Sequence, residues 1–148
     1  MTRLSIFALA AAAALLSSCS RQAATPDIQV EDVWARAVAP GQTTGAVYMT
    51  IKNGGEAPDA LMSAKVSVAP ESMIHQTMTE GDMSKMSHAG LVAIPAGATV
   101  KLQPGGTHVM MTGLTVPLSP GDRFFVDMQF ETTGHVTAAG KVIAAGER

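Results

Sequence analysis

Short alternating runs of apolar and polar residues, each closed by turn residues, limit the fold of this chain more than any other feature. In DRFFVDMQFETTG (residues 122–134), every second position is a large apolar residue: Phe124, Val126, Met128 and Phe130. In GAVYMTIKNGG (residues 45–55), a second alternating run ends in an Asn-Gly-Gly turn. A period of two predicts strands that bury one face.

Further short segments have strand character and are separated by glycine, proline and asparagine, with no sustained helical period. The predicted strands are Ile28–Ala37, Leu61–Val68, Met73–Met78, Thr99–Gln103, Thr107–Met111 and His135–Ile143. Short strands at this spacing favour an all-β sandwich or Greek-key barrel. We predict one domain over residues 28–148, and a monomer.

The N-terminus has the pattern of an export signal. Residues 1–18 combine a charged start at Arg3, an apolar run and small residues before Cys19. Leu-Ser-Ser-Cys at the end of this run resembles a bacterial lipobox, which predicts a lipoprotein-type signal and lipidation of Cys19. The other interpretation is ordinary cleavage nearby, with Cys19 incidental. Residues 19–27 are predicted to tether the domain to the anchor, and no other membrane contact is expected.

Cys19 is the only cysteine of the chain. Whichever way the signal is cleaved, the folded domain has no thiolate, which excludes an intrachain disulfide, a cysteine-containing zinc site and a cysteine nucleophile. The formal net charge is −2, whereas a nucleic-acid-binding domain usually presents a basic face. The chemistry of the domain must therefore come from sulfur in methionine and from other side chains.

Methionine and histidine are concentrated in MIHQTMTEGDMSKMSHAG, residues 73–90, which holds four of the ten methionines with His75 and His88. Any single methionine could be a flexible filler of the core. As a group, these methionines have few apolar neighbours in the sequence, so we expect several of their side chains to lie near solvent. Thioether and imidazole together suit a soft ion, above all Cu(I).

A second His-Met pair lies in GGTHVMMTGL, residues 105–114. In a strand, His108 and Met110 would share a face about 7 Å apart, given a rise of ~3.3 Å per residue. Val109 and Met111 would face the other way. We therefore interpret His108 and Met110 as ligands and Met111 as core.

These residues match the motif of the PCu(A)C periplasmic copper chaperones, in which His is followed by ten residues, Met, twenty-one residues and His-x-Met. The chain fits it at His75, Met86, His108 and Met110, and IPAGATVKLQPGGTHVMMTGL also resembles the family. The resemblance implies a cupredoxin-like β-barrel that binds Cu(I) through those four residues. It also implies delivery to the copper site of cytochrome c oxidase, often with Sco-type thiol proteins.

Several points stay open beside this resemblance. Met78 and Met83 are either auxiliary metal donors or plain loop residues. His88 substitutes for a ligand, catches Cu(II) or is a solvated loop histidine, and His135 is interpreted as a surface residue. The chain also stops without the His- and Met-rich tail of many family members, so no further copper site of that kind is expected.

No arrangement of Ser, Asp and His suggests a nucleophile or an acid–base pair, so we do not predict an enzyme. A blue copper electron carrier would need a cysteine ligand. The predicted function is a periplasmic copper chaperone, tethered to the membrane through Cys19. The alternative is a periplasmic protein that sequesters copper for tolerance, since sequence cannot separate delivery from buffering.

Overall fold

The computed structural model describes residues 23–80 and 83–148. The predicted signal at residues 1–18 and Cys19 lie outside the described residues. The described part contains ten strands. They are β1 (Ile28–Arg36), β2 (Thr44–Asn53), β3 (Asp59–Val66), β4 (Glu71–Glu80), β5 (Met83–His88), β6 (Val92–Ile94), β7 (Thr99–Leu102), β8 (Thr107–Thr112), β9 (Arg123–Phe130) and β10 (His135–Ile143).

The strands form one sheet in the order β5-β4-β8-β2-β1-β10-β9-β3-β6, and β7 pairs with the second half of β2. Only β1 and β10 pair in parallel among the described strands. Strands distant along the chain lie side by side, as in Greek-key folds. Because β3 also packs against β4, the sheet curls into a half-barrel, which confirms the all-β, cupredoxin-like prediction.

The alternating pattern predicts the buried face correctly. In β9, the four apolar residues at every second position, Phe124, Val126, Met128 and Phe130, are at most 1% exposed. They join a single large core built from both halves of the curled sheet. A smaller cluster, formed by Trp34, Tyr48 and Ile143, is buried separately from it. Tyr48 thus shows that β2 is covered on both faces, which its sequence pattern did not predict.

The segment after β4 was predicted as a loop, and that prediction was wrong. Met83–His88 is strand β5, paired with β4 in an antiparallel hairpin from His75 opposite His88 to Glu80 opposite Met83. The side chains described on β5, from Lys85 to His88, are all exposed. Because the described side chains of this edge strand are all exposed, they show no apolar period, and its backbone ladder is what identifies it.

The end of the predicted tether is bonded to the domain. Asp27 donates its backbone N–H to the side-chain oxygen of Asn53 and accepts from the N–H of Gly54. Glu56 donates to the carbonyl of Thr25. Within the described residues, hydrogen bonding to the domain therefore begins at Thr25, three residues before β1. In the part of the chain that the structure describes, no helix is long and apolar enough to span a bilayer.

We expect Gly140→Ala to destabilise the fold, because β10 passes close to the core at this point. A Cβ on Gly140 would lie 2.5 Å from a ring carbon of Phe124 and 2.9 Å from a methyl of Val33. Overpacking of this kind usually costs about 1 to 3 kcal/mol. Chemical denaturation would measure it. Gly90→Ala is the matched control: a Cβ there meets nothing within 4 Å, so an equal loss in both variants would contradict the packing explanation.

Candidate metal centre

Three neighbouring strands bring three histidines into one row. In β4, His75 lies directly opposite His108 of β8 on one side and His88 of β5 on the other. Residues directly opposite each other in antiparallel strands share a face of the sheet. The imidazoles of His88, His75 and His108 therefore follow one another on a single face, which we call the histidine row.

The histidine row lies on the face opposite the core. Ile74 is directly opposite Val109, and Met111 follows on β8; all three are at most 2% exposed and belong to the main core. Met110 is half-buried and lies on the same side of β8 as His108. The prediction that Met111 is core and that the His108-x-Met110 pair faces the other way is thus confirmed.

The row is spaced evenly around His75. Its ring centroid is 6.2 Å from that of His108 and 6.2 Å from that of His88. In either pair, small rotamer changes would bring one nitrogen of each ring to within about 2 Å of a shared ion. The spacing therefore permits either neighbour of His75 to act with it as a ligand.

Local hydrogen bonding prepares His108 as a ligand. Its Nδ1 lies 3.0 Å from the carbonyl oxygen of Gly106. A carbonyl oxygen only accepts, so Nδ1 donates this bond, and in the neutral ring Nε2 then keeps a free lone pair. Metal-binding histidines are commonly oriented by such a bond through the second ring nitrogen.

The ring of His75 is less completely hydrogen-bonded than that of His108. Its Nδ1 is buried and has no hydrogen-bond partner. Burial lowers the pKa of His75, and the nearby imidazoles of His108 and His88 lower it further. The neutral ring, which is the form that binds metals, is thereby favoured. A metal ion at this ring would also relieve an unpaired buried nitrogen.

The two methionines of the motif approach the row from opposite sides along the strands. Met110 is opposite Met73, whereas Met86 is opposite Thr77, four residues further along β4. Their side chains nevertheless line one open surface cavity of about 260 Å³, together with His108. Met86 is 56% exposed. The cavity thus joins both thioethers to one end of the row and leaves Met86 accessible to a partner.

The same cavity contains residues that the sequence did not single out. Arg36 and Tyr48 line it beside Met110, and the ring of Tyr48 is 6.3 Å from that of His108. Burial raises the pKa of Tyr48, partly offset by the positive charge of Arg36. Met73 is a further neighbour, 42% exposed and directly opposite Met110. Only the pairing of β4 with β8 shows this proximity.

The predicted auxiliary residues are not equivalent. Met78 is 53% exposed. It lies three residues after His75 on β4, and this odd spacing places it on the other face of the sheet. The side chain of Met83 lies outside the described part. His88, for which the sequence leaves a ligand role and a loop position both open, is fixed in β5 beside His75. Across residues 23–80 and 83–148, no three or more His, Cys, Asp and Glu side chains surround a common metal position.

Solved structures show which class of protein shares this fold. The copper-bound PCuAC domain from PmoF2 is 25% identical and matches with a TM-score of 0.68, over 80% of this chain and 93% of that domain. The solution structure of CuI-DR1885 from Deinococcus radiodurans is 29% identical, with a TM-score of 0.60 over 88% of this chain and 85% of that protein. The chain is therefore of the PCuAC type.

Within this class, the chain belongs to the LpqE-like family, described as "Putative lipoprotein LpqE-like", whose model matches residues 28–142. One relative is the "Putative lipoprotein Lxx21020" of Leifsonia xyli subsp. xyli (strain CTCB07), which is 35% identical over 104 residues. The match covers 70% of this chain and 61% of the relative. The chain thus spans about three fifths of the length of that relative.

Proposed function

We propose that this chain is a copper chaperone that binds one Cu(I). The observation that carries the proposal is the pairing of β4 with β8, which sets His75 opposite His108 on a face where two thioethers reach the same cavity. The proposed ligands are those of the motif: His75, Met86, His108 and Met110. The copper-bound PCuAC domain and CuI-DR1885 support the choice of metal.

The donor chemistry supports Cu(I) over other ions. Thioethers are soft ligands that select Cu(I), imidazole binds copper readily, and Mg²⁺ or Ca²⁺ would require oxygen. All four donors are neutral, so a monovalent ion introduces a small charge to the partly buried face. The free Nε2 of His108 and the unpaired Nδ1 of His75 supply nitrogens without breaking existing bonds.

We further propose that the bound copper is cargo, delivered to the copper site of cytochrome c oxidase directly or through a Sco-type thiol protein. Thiolate ligands are charged, so a dithiol acceptor should hold Cu(I) more tightly than neutral thioethers and imidazoles. Met86 is exposed beside the open cavity, where an incoming thiolate can replace a thioether without releasing free copper. Export to the periplasm, with Cys19 as a lipid anchor, would hold the chaperone near a membrane-bound acceptor.

Transfer between purified proteins tests this function. The full chain loaded with Cu(I) should pass the metal to a reduced dithiol copper-site domain near neutral pH, at a rate that rises with the concentration of that domain. The same domain with both cysteines changed to serine is the control and should take no copper. Metal that stays on this chain, or leaves at a rate independent of the partner, would overturn delivery and favour sequestration.

A further inference from the structure

We propose that His88 and His75 form a second copper position, which takes Cu(II) and overlaps the Cu(I) site through His75. The resemblance to the copper chaperones assigns no role to His88. From the sequence alone, His88 could be a loop residue or a substitute ligand. The proposal goes beyond the proposed function and shares with it only His75.

The register of β4 and β5 places the two histidines side by side. His88 is the direct cross-strand partner of His75, so their Cβ atoms lie about 4.5 to 5.5 Å apart on one face. Their rings are 6.2 Å apart and nearly perpendicular, at 87°. This is the same separation as in the pair of His75 with His108. His75 is therefore equally placed to share a metal with either neighbour.

The three rings follow a line instead of surrounding one point. His88 and His108 lie on strands two apart in the sheet, a separation of nearly 10 Å given about 4.8 Å between neighbouring strands. One ion cannot bind both outer rings without a large rearrangement. Metal at one pair thus excludes metal at the other, because His75 serves both.

The two histidine pairs differ in their surroundings. The pair formed by His75 and His108 lies beside the cavity with its two thioethers. His88 is exposed on β5, the strand at the edge of the sheet, where water can complete the coordination. Imidazole nitrogens with oxygen ligands in a tetragonal arrangement suit Cu(II), and Cu(II) binds such sites more tightly than other first-row divalent ions.

The unpaired Nδ1 of His75 is available to a metal at either position. A buried ring nitrogen without a partner is rare and needs a ligand or a structural explanation. The strand neighbours of His75 on this face are two further imidazoles and no carboxylate. A metal ion on either side is the partner that these surroundings offer.

Titration with Cu(II) sulfate, in competition with glycine and followed by electron paramagnetic resonance, tests the second position. The full chain, without a histidine tag, should bind one equivalent with nitrogen couplings from two imidazoles. His88→Ala and His88→Gln should each weaken Cu(II) binding by about 10-fold or more, since loss of even an outer-shell partner usually weakens a metal site roughly 10- to 100-fold. Cu(I) affinity should change little in both.

His135→Ala is the matched control, because His135 is another exposed strand histidine. It lies on β10, near Asp127 of β9, and is far from the row in the strand order. It should leave Cu(II) binding unchanged. Preloading with Ag(I), a soft ion that stands in for Cu(I) without reacting with Cu(II), should block the Cu(II) signal. Simultaneous binding of both ions would show that His75 is not shared.

Two other outcomes would overturn the proposal. Unchanged Cu(II) affinity in both His88 variants would place Cu(II) elsewhere on the chain. An equal loss of Cu(I) and Cu(II) affinity would make His88 a ligand of the first site. A third outcome separates the two proposals. If the wild-type chain failed to bind Cu(I), and substitution of His88 abolished Cu(II) binding, the second position would stand and the chaperone function would fail.

Discussion

Met111→Ala is expected to destabilise the apo protein by about 2 to 5 kcal/mol, the usual range when a buried methionine is truncated. Met111 is fully buried in the main core. Its terminal methyl lies against Gly45, where an added Cβ would be only 2.8 Å away. The strands therefore close tightly around this side chain, and truncation leaves a cavity that they cannot fill easily.

Met110→Leu is the natural counterpart, one residue away on the opposite face. Leucine keeps the volume of methionine, and such exchanges usually cost less than about 1.5 kcal/mol. Denaturant unfolding of both apo variants, with Cu(I) titration of each, separates core from ligand. Met111→Ala should retain copper affinity and Met110→Leu should lose it. The reverse result would show that the faces of β8 are assigned wrongly.

The features that could be predicted from the sequence are those set by local alternation. Residues such as Phe124 and Met128 are buried because every second side chain of β9 enters the core. The same alternation assigns His108 and Met111 to opposite faces of β8 without any knowledge of how the strands pair. The long spacing from His75 to His108 was recognised only by resemblance to a family motif, since alternation cannot relate distant strands.

The features that could not be predicted depend on pairing between strands. That His88 lies opposite His75 follows from the register of the β4–β5 hairpin, and the described side chains of β5, Lys85 to His88, are all exposed and so show no period of burial. Met73 and Arg36 approach the site through neighbouring strands for the same reason. Tyr48 is buried on the outer face because Trp34 packs against it with ring centroids 4.5 Å apart.

Removal of both motif thioethers should have the largest effect on metal binding. The double variant Met86→Leu with Met110→Leu is expected to lower Cu(I) affinity by at least about 100-fold, or about 2.7 kcal/mol. Each thioether is a proposed direct ligand, and loss of even an outer-shell partner typically weakens a site roughly 10- to 100-fold. Only the two imidazoles would remain to hold a soft ion. Competition against a Cu(I)-specific chelator would measure this, and the wild type should saturate near one equivalent.

Met62→Leu is the control, since Met62 is 51% exposed on β3 and belongs to no proposed site. It should leave Cu(I) binding unchanged and so separate ligand loss from a general effect of removing exposed thioethers. Unchanged affinity in the double variant, or a wild-type stoichiometry of two, would count against the four-ligand site.

The single variants decide whether the two thioethers bind one ion. Met86 and Met110 lie on opposite sides of the histidine row along the direction of β4, so the two could also act separately. If both bind the same Cu(I), each substitution should weaken the single equivalent, and the two effects should be coupled, as is usual for residues that share a partner. If Met110→Leu lowers affinity and Met86→Leu does not, Met86 is outside the resting site. Its exposure beside the cavity would then confine it to the transfer step, where Met86→Leu should slow passage of copper to a dithiol acceptor while leaving equilibrium affinity unchanged.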